Sequence, residues 1–280
     1  MPTLAAVLAT EISTGRLFLL AAIAGLTIFL GLPIGRVRNP APRLRAGLNA
    51  VAIGILVFLL FDVLAHANEP VESALTAATG GHGSWLRFAG LASVFALGVA
   101  LGLVGLVYYD RWMSAQRSGE GSKGIRGWAP SYRLALLIAV GIGLHNFSEG
   151  LAIGQSAASG EVSLALMLVI GFGLHNATEG FGIVGPLAGE GERPSWGFLL
   201  AMGLIGGGPT FVGTVVGHSF VNDTVFLGFL ALAAGSILYV VLQLSKVAAR
   251  HGLDEIVMWG IFLGLVLGFA TDYVLVAAGA

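Results

Sequence analysis

Two copies of one short phrase hold most of the reactive side chains in this sequence: GLHNFSEG at 143–150 and GLHNATEG at 173–180. Aligned over 141–154 and 171–184, the two stretches match at 8 of 14 positions. The first copy supplies His145, Asn146 and Glu149, and the second supplies His175, Asn176 and Glu179. Residues four apart share a helix face, so each histidine projects together with its glutamate. The asparagines lie about 100° further round, within reach of another helix. Two imidazoles, two carboxylates and two amide oxygens form a nitrogen and oxygen donor set suited to zinc, iron, manganese and related divalent ions. The chain has no cysteine, so no thiolate is available and a copper(I) site is disfavoured.

These donors sit in apolar surroundings. Of the 280 residues, 56% are hydrophobic and only 10% are charged, whereas soluble domains carry about 25% charged residues. The solvent implied is lipid, and nothing in the charge pattern points to nucleic acid. A carboxylate at mid-bilayer costs several kcal/mol, and two close together repel. A divalent cation relieves both penalties, so the repeated motif reads as a metal site. A lone membrane histidine would instead suggest only a hydrogen bond between helices.

Runs of about 20 apolar residues are the elements that must position the motifs. Eight occur, at about 17–35, 47–66, 86–109, 133–155, 162–186, 195–217, 224–245 and 255–278. The expected fold is therefore all-α, a single transmembrane transporter domain over 1–280 with eight membrane-spanning helices. The first run is too long for a signal peptide and follows Glu11, so it is read as a retained span. Both motifs begin deep inside their spans, and the short connection between spans four and five makes these helices antiparallel neighbours.

Charge sets the orientation. Arg36, Arg38, Arg43, Arg45, Arg111, Arg117, Lys123, Arg126, Arg133, Arg193, Lys246 and Arg250 all fall on one side of the eight-helix arrangement, leaving Arg16 and Arg87 opposite. The positive-inside rule puts that basic face in the cytoplasm and both termini outside it. A flexible cytoplasmic loop is expected at about 110–132, where Gly, Ser and charged residues replace apolar ones.

Other polar residues have plainer readings. Asp62, His66 and Glu69 form one stripe at the outer end of span two, either an acidic entrance that concentrates cations or an ordinary solvated helix end. His82, His218, Asp223 and His251 read as solvated loop or helix-end residues. Asp272, inside the last apolar run, has no assignable partner. Gly141, Gly143, Gly171 and Gly173 read as packing surfaces. Gly150 and Gly180 could pack helices or loosen the turn that follows each glutamate.

The motif HNFSEG in the fourth of eight spans, with a related motif in the fifth, resembles the Zrt/Irt-like (ZIP) metal transporters, most nearly the prokaryotic branch with short loops. The likeness is strongest over 141–184. It implies uptake of zinc and other divalent metals into the cytoplasm through a site between helices four and five. By position, His145, Asn146 and Glu149 match the family's fourth-helix ligands, and Asn176 and Glu179 its fifth-helix ligands. His175 falls at a position that is polar in the family. Where the family commonly has proline before the motif glutamate, this chain has Ser148 and Thr178, which can bend helices by back-bonding. Gly208 precedes Pro209 where binuclear members carry glutamate, and Gln243 stands where many members carry acidic or histidine residues. One principal metal site, or a different metal preference, is therefore expected, with Gln243 an entrance or pathway residue. The resemblance is also compatible with a homodimer, although the sequence itself does not give the oligomeric state.

The expected function is transport of divalent metal ions, zinc first, with iron, manganese or cadmium as alternatives. The metal is substrate, not cofactor, and the protein is expected to be a multi-pass cell-membrane transporter and not an enzyme. Two rivals remain. An intramembrane metal-dependent hydrolase is disfavoured because no His-Glu-x-x-His motif occurs. A haem-binding electron carrier using His145 and His175 as axial ligands is disfavoured by the glutamate one turn from each.

Overall fold

The structure is a computed structural model describing residues 13–37, 42–115, 128–160, 162–187, 193–219, 222–249 and 254–278. Within lipid every backbone N–H and C=O must find a partner inside the protein, which favours helices wherever an apolar run is long enough. The described residues form eight helices long and apolar enough to cross a membrane. These are α1 (Thr14–Leu26), α2 (Pro42–Thr79), α3 (Trp85–Ala115), α4 (Pro130–Ala158), α5 (Val162–Val184), α6 (Trp196–Ser219), α7 (Asp223–Ala249) and α8 (Asp254–Ala278). Helix α1 tightens into 3-10 turns at Thr27–Leu30 and Leu32–Arg36, where Pro33 supplies no N–H. No strand occurs among the described residues.

Local chemistry sets several ends. Pro130 occupies the first turn of α4, where its missing N–H costs nothing. Ser195 Oγ accepts from Phe198 N at 3.0 Å, and Asn222 Oδ1 accepts from Val225 N at 3.0 Å, capping α6 and α7. Gly81 and Gly160 take positive φ of 75° and 85° in the turns after α2 and α4, a backbone state that side chains resist.

Two boundaries differ from the hydropathy reading. Helix α2 runs on past 66, through Pro70, to Thr79. Its extension is amphipathic: Ala67, Val71, Ala74 and Ala78 are buried while Glu69 and Glu72 face out. That helical stripe outweighs the single hydrogen bond Pro70 removes. Helix α3 likewise continues to Ala115, so residues 110–115 of the expected loop are helical. Residues 116–127 of that loop lie outside the described residues.

The glycines explain the packing. A Cβ at Gly54 would meet Ile261 O and one at Gly264 would meet Val51 O, so α2 and α8 touch backbone to backbone. Gly102 and Gly235 do the same for α3 and α7, against Leu232 O and Val99 O. Gly25 and Gly207 join α1 to α6. Gly143, Gly150 and Gly154 of α4 interleave with Gly213 and Gly217 of α6, and Gly180 of α5 lies against Ile28 O. Gly150 and Gly180, left open by sequence, are thus packing glycines, and both helices continue unbroken through them. Close approach of this kind replaces the hydrophobic drive that helices lack in lipid.

Helix α4 is central, with 78% of its most apolar stretch buried, whereas α3 and α8 are peripheral at 11% and 22%. Trp85, Trp112, Trp196 and Trp259 are exposed near helix ends, the placement of an interfacial aromatic belt.

Candidate metal site

Helices α4 and α5 run side by side, which brings the two motifs together. His145 and Glu149 share a face of α4, with His145 Nε2 3.1 Å from Glu149 Oε1. Across the helix interface, the same nitrogen lies 3.9 Å from Glu179 Oε1 on α5. All three side chains are buried, Glu179 completely. His145 Nδ1 is shielded from solvent without a hydrogen-bond partner, while Nε2 faces the two carboxylates. A buried imidazole facing two buried carboxylates is a donor set suited to a cation.

The asparagines tie this cluster to the surrounding helices. The two N–H groups of Asn146 Nδ2 are shared among three acceptors, Asn176 Oδ1, Glu179 Oε2 at 3.0 Å and Gly206 O at 3.0 Å. Three oxygens converging on one amino group require the nitrogen to point there, since a flipped amide would oppose acceptor with acceptor. Asn146 Oδ1 is then left buried without a donor, a second group that a cation would satisfy. Asn176 Nδ2 in turn donates to Ala24 O on α1 at 3.1 Å. Each asparagine therefore bonds between helices, whatever it contributes to a metal. Ser148 Oγ donates back to Leu144 O, one turn earlier in α4, at 3.3 Å.

Among the described residues, no three His, Asp or Glu side chains stand in a geometry that could hold a metal ion as drawn. His175 is on α5, but its side chain lies outside the described residues.

A cavity of about 450 Å³ leads to the cluster. Its polar lining includes Asp62, His66, His145, Glu149 and Asp272. The His66 side chain is 60% exposed, Asp62 28% and His145 4%, so the cavity descends from surface to core. His66 Nδ1 stands 2.9 Å from Asp62 O and 3.5 Å from Asp62 Oδ1. Asp272, unexplained in sequence, faces the same space from α8. An acid inside an apolar run was the signal for it, but its neighbours come from a helix about 200 residues away. Leu56, Ile138, Ile142 and Ile183 are fully buried in one apolar cluster; Ile138 and Ile142 precede His145 in α4 and Ile183 follows Glu179 in α5.

The remaining sequence candidates separate from this site. Glu69 is exposed and lines a different cavity with His82, Arg87 and Asp223. Gln243 lies in a crevice between α3 and α7. His218 is half-buried, and not the solvated helix-end residue expected: its ring meets Phe18 edge-on at 5.7 Å between centroids, because α1 packs on α6. His82 and Asp223 are exposed, and His251 lies outside the described residues. No protein-family model matches this chain, and no curated protein matches it in sequence.

Proposed function

We propose that this protein carries divalent metal ions, zinc first among them, across the cell membrane into the cytoplasm, in the manner of the ZIP transporters its motifs resemble. The observation that carries the reading is the descent of acidic and imidazole side chains from Asp62 and His66 to the buried pair His145 and Glu149. In the proposed cycle a hydrated cation enters at Asp62, His66 and Asp272, loses water, and is held by His145, Glu149 and Glu179 once these side chains close around it. The repeated motif supplies His175 and the asparagine oxygens as further candidate ligands, of which Asn146 Oδ1 is buried without a hydrogen-bond partner. Release toward the basic face requires the layer of Leu56, Ile138, Ile142 and Ile183 to part. A buried apolar barrier favours a carrier with alternating access over an open pore. Protein reconstituted into liposomes is expected to accumulate zinc saturably in the lumen. Absence of uptake for zinc, iron, manganese and cadmium alike would defeat the reading.

The entrance has its own test. Asp62→Asn/Asp272→Asn removes negative charge from the cavity but leaves the buried cluster intact. The expected result is a rise of about tenfold in the zinc concentration for half-maximal uptake, with the maximal rate changed less than about twofold, since focusing raises local cation concentration. The shift should shrink at high ionic strength. A fall in maximal rate with no change in half-saturation would assign these acids another role.

Orientation can be read directly because the native chain has no cysteine. In intact cells, a membrane-impermeant thiol reagent is expected to label His82→Cys and to leave Arg193→Cys unlabelled until the membrane is opened. The reverse pattern would invert the proposed topology.

A further inference from the structure

We propose that the crevice between α3 and α7 is a binding site for the phosphate of an anionic phospholipid. The crevice has a volume of about 280 Å³ and presents Arg111 from α3 with Gln243 and Lys246 from α7. Its walls are apolar, including Val107, Tyr239 and Leu242. No carboxylate of the described residues lines it, and neither Arg111 nor Lys246 has an ion-pair partner among them. Two like charges from parallel helices thus meet in one crevice with nothing in the described protein to neutralise them.

The position of the crevice names the ligand. Gly102 and Gly235 bring α3 and α7 into backbone contact near their middles. The crevice opens further along, toward the ends where α3 carries exposed Tyr108 and Trp112. Exposed Leu101, Val104 and Leu242 extend an apolar surface away from the charged end. An acyl chain can lie along that surface while a phosphodiester accepts from the guanidinium, the ammonium and the Gln243 amide. Basic pockets between membrane helices at the cytoplasmic level recognise anionic headgroups by this charge complementarity. Gln243, taken from sequence as a pathway residue, is on this account a headgroup ligand. The inference is independent of the metal-transport reading.

The test uses purified protein in a neutral detergent, titrated with phosphatidylglycerol or phosphatidylcholine and followed by native mass spectrometry. The unaltered protein is expected to prefer phosphatidylglycerol by about 30-fold, the scale of two basic side chains at a membrane surface. Arg111→Gln/Lys246→Gln should reduce that preference to no more than about threefold. Arg193→Gln, at an exposed basic residue outside the crevice, should leave it intact, and so should the charge-preserving Arg111→Lys/Lys246→Arg. Four results would overturn the proposal. These are no headgroup preference in the unaltered protein, equal loss in Arg193→Gln, loss in the charge-preserving variant, and displacement of the lipid by millimolar inorganic phosphate. The last would identify a small-anion site.

Discussion

Glu179→Gln is expected to abolish zinc uptake, lowering it about a hundredfold or more, while the protein stays folded. The glutamate is completely buried. One carboxylate oxygen accepts from Asn146 and the other lies 3.9 Å from His145 Nε2. Glutamine keeps the shape and can keep the bond from Asn146 through its carbonyl oxygen. It loses the negative charge, and its NH₂ group cannot bind a cation. Even changes to groups that only support a metal ligand typically cost about 10–100-fold in affinity or activity, so loss of a charged ligand should exceed that range. Glu179→Ala is less informative, because it also leaves Asn146 short of an acceptor and opens a void. Normal elution and thermal stability of Glu179→Gln with near-normal uptake would remove Glu179 from the transport site.

The second large effect concerns architecture. Gly150→Ala is expected to lower thermal stability in detergent by about 5 °C or more, or to prevent accumulation of folded protein. A Cβ there would collide with Thr210 O and lie 2.8 Å from Thr214 N and 2.9 Å from Thr210 C, all backbone atoms of α6. No side chain can rotate out of the way, so α4 and α6 must separate. Overpacking of this kind costs about 1–3 kcal/mol, and each kcal/mol shifts Tm by about 2–4 °C in chains of 150–250 residues. The same displacement would move His145 and Glu149, so uptake should fall as well. Gly105→Ala is the matched control. Nothing lies within 4 Å of a Cβ at Gly105, and alanine favours the helix by up to about 1 kcal/mol. Equal stability of the Gly150 and Gly105 variants would contradict the close α4–α6 packing.

The contrast between these glycines marks what the sequence could reveal. Eight apolar runs were legible because lipid forces each spanning segment to satisfy its own backbone. The pairing of His145 with Glu149 followed from helical periodicity alone. The route by which Asn146 reaches Gly206 and Asn176 reaches Ala24 did not, since it depends on α6 and α1 crossing at those levels. Gly150 looked equally suited to bending or packing until α6 lay against it. Asp272 stood alone in its apolar run, and only the juxtaposition of α8 with α2 supplies Asp62 and His66 as neighbours. The extension of α2 through Pro70 escaped a hydropathy count because it depends on a buried stripe of small residues and not on mean apolarity. Gln243 was assigned to the pathway by resemblance, whereas the α3–α7 contact sets it beside Arg111 and Lys246.

The most direct test of the transport account is zinc uptake into liposomes containing either the unaltered protein or Glu149→Gln/Glu179→Gln, with a zinc-sensitive dye in the lumen. The account predicts saturable uptake by the unaltered protein and none above empty liposomes for a correctly folded double variant. Equal uptake by both would place the transport site away from the repeated motif and contradict the central claim.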